Sequence, residues 1–179
     1  MNQLAARGVR VLILTNSLAS NDVGLVHSGY SKYRKALRRG GVELYELNKD
    51  LAREESEAKR NWRGSSRASL HAKSFVFDRR QVFIGSFNLD PRSRDHNTEI
   101  GVVMTVPGIG REMGEWFDRN IGLLAFRLEL KTEADGSEQL FWHGLEKGKA
   151  VVYAHEPEVG FWTRFWVRFM RLWPIESQL

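Results

Sequence analysis

Hydrophobic and polar positions first set out a strand, helix, strand order. Residues 8–17, "GVRVLILTNS", form a short apolar run closed by polar residues, the pattern of a strand buried on both faces in parallel pairing. Residues 4–7 before it read as the tail of a helix. Residues 26–39 put Val26, Tyr30, Tyr33 and Leu37 at helical spacing opposite a basic face, and Gly40-Gly41 stops that helix before the strand "VELYEL". A β-α-β unit is predicted.

The period then changes. Residues 49–67 are charged and polar without alternation and predict a long surface loop. Residues 72–77 and 81–84 predict strands joined by a tight turn at Asp78-Arg79-Arg80, residues 98–106 a further strand, and residues 107–122 a helix. Residues 127–131 and 139–142 flank "EADGSE", whose Asp135-Gly136 is a hairpin signal, and residues 150–154 add a last strand. The fold class that results is α/β, a mixed sheet flanked by helices.

Composition narrows the chemistry. With 179 residues and 42% hydrophobic content the chain suits one soluble globular domain. It has no cysteine, which excludes disulfides, thiolate zinc sites and cysteine nucleophiles. A formal charge of +5 and a pI near 9.7 favour polyanionic partners, nucleic acid or anionic lipid. The apolar run at residues 9–14 is too short for a signal peptide, and no stretch of 18 apolar residues is present. The chain opens one turn before a core strand, so the expectation is that an upstream part precedes it.

The stretch "SLHAKSFVFDRRQVFIGSFNLD" concentrates the candidate chemistry. Alternate side chains share a face of a strand, so His71 and Lys73 project together as an anion-binding pair, with Phe75 and Phe77 continuing that register. Gly85 lets backbone approach a ligand closely, while the Ser86 hydroxyl and Asn88 amide are neutral donors suited to phosphate oxygens. His-x-Lys-x4-Asp followed by Gly-Ser-x-Asn, here His71, Lys73, Asp78, Gly85, Ser86 and Asn88, resembles the signature of the phospholipase D superfamily. The resemblance continues through "LDPRSRDHNTEIG" and "HSGYSKYRKAL". It extends to the C-terminal half of a bacterial C-type cardiolipin synthase.

The resemblance implies a phospholipase D-like half-unit, residues 1–156, in which His71 is a covalent nucleophile and Lys73, Ser86 and Asn88 bind the substrate phosphate. It gives Glu99 the role of orienting the histidine ring and Asp78 a supporting role at its turn, paired with Arg92 or Arg94. Neither metal nor cofactor is called for. Such chemistry uses two histidines in different protonation states, and His27, His96, His143 and His155 lie in no second motif. The second motif is therefore expected from an N-terminal half or a second copy of the chain. In half an enzyme His71 could be either nucleophile or acid.

Residues 157–179 form a separate pattern. Phe161, Trp162, Phe165, Trp166, Phe169, Leu172 and Trp173 fall on one arc of a helix, with Arg164, Arg168 and Arg171 opposite. This suits either a helix lying in an anionic membrane interface or one packed on a protein core. The function that the resemblance implies is phosphatidyl transfer between phospholipids, phosphatidylethanolamine and phosphatidylglycerol among them, at a bacterial cytoplasmic membrane. The alternatives are a homodimeric phosphodiesterase acting on nucleic acid, disfavoured because the basic residues are spread along the chain, and a lipid-binding half without turnover.

Overall fold

The computed structural model describes residues 1–20, 29–50, 73–88, 93, 95–160, 162, 165 and 166. These fall into two compact units, one within Met1–Leu70 and Gly122–Trp173 and one within His71–Ile121.

The first unit is built on the predicted β-α-β pattern. Helix α1 (Asn2–Ala6) precedes β1 (Leu12–Thr15), and α2 (Arg34–Arg39) leads into β2 (Glu43–Leu47), which pairs in parallel with β1. Gly41, at φ 85°, ends α2: its amide bonds the Arg38 carbonyl and the Val42 amide bonds that of Leu37. That is a Schellman stop, and only glycine takes the left-handed position without strain. The other edge of β2 is joined by β6 (Ala125–Thr132), continued by β7 (Glu138–Glu146) and β8 (Lys149–Tyr153) as an antiparallel meander. Asp135 caps the β6-β7 turn by accepting from the Ser137 amide at 2.8 Å, and Gly136 has φ 80°.

Alternation along β2, β6 and β7 puts Val42, Leu44, Phe126, Leu128, Leu140 and Trp142 in one buried cluster. The Phe126 ring lies over Gly144, where an added Cβ would sit 2.4 Å from it, and meets Tyr153 edge-on at 6.0 Å. The glycine is the space the ring occupies.

The predicted helix over 26–39 differs in detail. Residues 29–31 are helical, but a turn intervenes before α2, so Tyr33 is exposed while Arg34 turns inward at 2% exposure. Its guanidinium meets Glu46 at 2.7 Å and Glu156 at 3.0 Å and lies over the rings of Tyr30 and Trp142. Glu46, fully buried, also accepts from the Trp142 indole at 2.8 Å and the Tyr30 hydroxyl at 3.1 Å. A buried charge survives only when so surrounded. The predicted loop is helical again at Lys49 and Asp50, whose amides donate to Glu158; residues 51–67 lie outside the described residues.

The second unit is a purely antiparallel sheet, β3 (Ser74–Phe77), β4 (Gln81–Gly85) and β5 (Gly101–Thr105), which period-two patterning alone does not separate from the mixed sheet. The predicted strand over 98–106 is shorter than expected, confined to β5. Asp78 and Arg79 have φ 50° and 54° and the Arg80 amide closes on the Phe77 carbonyl at 3.0 Å, so the tip has the φ signs of a type I′ turn. Helix α3 (Pro107–Leu124) starts with proline, which suits a first turn, and brings Gly110 and Gly114 against Arg79. A Cβ at Gly110 would fall 2.8 Å from the Arg79 carbonyl carbon, and Arg79 pairs with Asp118 of the same helix. Strand tip and helix are thereby locked together.

Candidate active site at the end of the three-stranded sheet

Strand register decides which chemistry meets. Phe75 pairs with Phe83 and Ser74 with Ile84, and the Gly85 amide donates to the Lys73 carbonyl at 3.1 Å, so Lys73 stands beside Gly85. Gly85 in turn pairs with Gly101, two residues after Glu99. Lys73, Ser86 and Glu99, far apart in sequence, therefore gather at one end of the sheet. Lys73, Ile84, Ser86, Ile100 and Val102 line an open depression of about 510 Å³ there.

Phe83 explains the two glycines. A Cβ at Gly101 would lie 2.2 Å from its ring, and one at Gly85 would lie 2.7 Å from that ring and 2.5 Å from the Ile100 carbonyl oxygen. At Gly85 the close approach is made by the neighbouring strand and the aromatic ring, where the sequence reading expected a ligand. Phe75 packs on Phe83 at 5.3 Å and stacks with Phe77 at 6.4 Å, which keeps the expected face of β3.

The centre of the cluster is a carboxylate with several donors. The Ser86 hydroxyl donates to Glu99 Oε2 at 2.5 Å and the Asn97 amide to Oε1 at 3.3 Å. These hydrogen bonds, that of Ser86 first, then those of Ser93 and Asn97, with the charge of Lys73 last, hold the Glu99 carboxyl below the usual carboxylate range. The site thus presents a fixed anion beside a lysine, and Lys73 is the group able to meet a phosphoryl oxygen. Among the described residues there is no group of three or more metal-ligating side chains.

The predicted residues divide by position. Lys73, Ser86 and Glu99 come together, and Asn88 follows two residues after Ser86, exposed. Asp78 sits at the opposite end of β3, on the order of 15 Å away at about 3.3 Å per residue. The ion pair at that tip is made by Arg79. His71, Arg92, Arg94, Phe161, Phe169 and Trp173 lie outside the described residues. Trp162, Phe165 and Trp166 are exposed, with Phe165 edge-on to both tryptophans at 6.2 and 6.4 Å. No helix among the described residues is long and apolar enough to cross a membrane. Ser93, 3% exposed, and Asn97 are parts of the site that the sequence reading does not single out. The signal that could have found them is the polar run "RSRDHNTE", which places donors just before a carboxylate.

Comparison with known proteins finds similar sequences. Cardiolipin synthase C of Escherichia coli is 40% identical over 97% of this chain and 36% of its own length. An uncharacterized protein of Helicobacter pylori is 31% identical over 96% of this chain and 31% of its own, and cardiolipin synthase A of Serratia proteamaculans is 28% identical over 78% and 24%. The chain spans between about a quarter and just over a third of the length of these relatives. A solved phospholipase D family member, Nuc from Salmonella typhimurium, is similar at TM-score 0.41 and 19% identity, covering 66% of this chain and 64% of that one. The family described as cardiolipin synthase, PLD-like domain, matches residues 1–121, a span that takes in β1 and β2 as well as the whole sheet carrying Lys73, Ser86 and Glu99, and the chain belongs to that family.

Proposed function

We propose that this chain supplies one half-site of a phosphatidyltransferase that works through a covalent phosphohistidine. The observation that carries the reading is the gathering of Lys73, Ser86 and Glu99 at one sheet end, with Lys73 two residues along the chain from His71. A His71 ring nitrogen attacks the phosphorus of a phospholipid, the bond to the headgroup oxygen breaks, and that oxygen takes a proton from the second motif's acid. The glycerol hydroxyl of phosphatidylglycerol then gives its proton to the same group and attacks, the P–N bond breaks, and cardiolipin leaves. Lys73 offsets the charge of the non-bridging oxygens, Asn88 donates a hydrogen bond to them, and Glu99 keeps the histidine ring oriented. Asp78 acts only through the β3-β4 turn, at the far end of β3 from the site.

The second motif comes from elsewhere in a longer protein or from a second copy. Exposed Trp162, Phe165 and Trp166 support a membrane-interface role for the C-terminal stretch, and a peripheral place at the bacterial cytoplasmic membrane. Exposed Trp162, Phe165 and Trp166 also favour one second reading, a catalytically incomplete lipid-binding half. The test mixes the chain with vesicles of phosphatidylglycerol and phosphatidylethanolamine and follows cardiolipin by mass spectrometry. Product that vanishes in His71→Ala supports transfer by this chain. Vesicle binding without product supports the incomplete half, and adding a separate polypeptide that carries the second motif should then restore turnover. Neither binding nor product in the completed enzyme sinks both.

A further inference from the structure

We infer that Ser86 is a positioning residue, a strut that holds Glu99 at the end of the β4-β5 pair, and not a ligand of the substrate phosphate. This deepens the phosphoryl-transfer reading of the same site and rests on it for the meaning of that position.

A hydroxyl has one proton and two lone pairs. The Ser86 proton goes to Glu99 Oε2 at 2.5 Å, the length of a charge-assisted O–H to carboxylate bond, while the Ile100 carbonyl is a more distant acceptor at 3.3 Å. One lone pair of the same oxygen is taken by the Ile100 amide at 3.0 Å. A lone pair is all that remains to face a phosphate oxygen, and two acceptors repel. The Ser86 side chain has no donor left for a phosphate.

The backbone shows what the hydroxyl does instead. Beyond the Gly85 and Gly101 pair, the Ser86 amide donates to the Ile100 carbonyl at 2.8 Å. In a regular antiparallel rung the Ile100 amide would return a bond to the Ser86 carbonyl; here it bonds the Ser86 hydroxyl. The side chain thus completes the rung and hands its proton across to the residue before Ile100. Phe83, seated over Gly85 and Gly101, fills the space beneath this join. Asn97 holds the other carboxylate oxygen, so Glu99 is gripped from both sides.

The test uses the full chain, Ser86→Ala, Ser86→Thr and Lys73→Ala, with inorganic phosphate as probe and carbon-13 NMR of the Glu99 carboxyl. Ser86→Ala is expected to raise the Glu99 titration midpoint, and Ser86→Thr to restore it. Lys73 is the charged group that acts on Glu99, and its replacement shifts the same midpoint less. Phosphate affinity is expected to fall about tenfold in Lys73→Ala and to stay within about twofold in Ser86→Ala. In the completed enzyme, Ser86→Ala combined with Glu99→Gln should be no slower than Glu99→Gln alone. A Glu99 midpoint unmoved by Ser86→Ala, or a phosphate affinity cut as deeply as in Lys73→Ala, overturns the inference. A wild-type chain that binds no phosphate yet shows the Glu99 shift supports the strut and counts against the phosphoryl-transfer reading instead.

Discussion

The five-stranded and three-stranded units use their polar residues differently. In the first, Arg34, Glu46, Tyr30 and Trp142 are buried or half-buried and satisfy one another, inside a core that includes Leu44, Phe126 and Leu128. In the second, Lys73, Ser86 and Glu99 stand at an open sheet end, and Val82 and Ile121 are its buried apolar residues among those described. Charge closed away from water acts on stability, because an unpaired partner keeps its desolvation penalty. Charge left at an open edge acts on ligands, because it can still meet one. The difference teaches where a substitution should be felt as lost folding and where as lost chemistry.

The strongest way to break this contrast is Arg34→Met, which leaves Glu46 buried without its cation. A loss of about 3–5 kcal/mol in denaturant unfolding is expected, and adding Glu46→Gln should recover part of it. A single variant as stable as the parent would show that the cluster is not the unit's keystone. Lys73→Ala tests the other side. Turnover by the completed enzyme should fall by roughly 10²–10³, with unfolding moved by no more than about 0.5 kcal/mol. Unfolding that moves with the rate would erase the division between the units.

Smaller changes sharpen it. Arg79→Ala removes the exposed pair with Asp118, and the expected cost is under about 1 kcal/mol, shrinking further in high salt. The smallest effect belongs to Tyr153, whose hydroxyl donates to Glu146 at 2.5 Å and is pushed up to about 12. The raised value means the neutral phenol is favoured in the folded state. Its stabilising contribution is fully present below the ordinary tyrosine range and is lost as pH rises through about 12. Difference absorbance titration of the parent against Tyr153→Phe should isolate one phenol with that late midpoint; a midpoint near the ordinary value would show that the hydrogen bond to Glu146 does not hold the phenol neutral.

Local signals carried much of the fold. Gly40-Gly41, Asp135-Gly136 and Pro107 act through backbone geometry within a few residues, so their turns, stop and helix start were legible before any contact was known. Lys73, Ser86 and Glu99 were legible as candidates through side-chain chemistry and the motif. The grip of Ser93 and Asn97 on Glu99 was not, because it depends on how the segment before β5 folds back.

Arg34 marks the limit. Its place among basic neighbours reads as a solvated face, and its burial follows only from Glu46, Glu156 and Trp142 arriving from segments up to 122 residues away in sequence. Ser86 marks it again: residue type offers a phosphate donor, while Glu99 takes its proton and the Ile100 amide one of its lone pairs. By itself the sequence determined the elements, their stops and the inventory of reactive groups, since those rest on short-range sterics and side-chain chemistry. Tertiary structure alone decided which charges are buried, which strands share a sheet and where each hydroxyl proton points, because desolvation and hydrogen-bond direction depend on neighbours that only folding brings within reach.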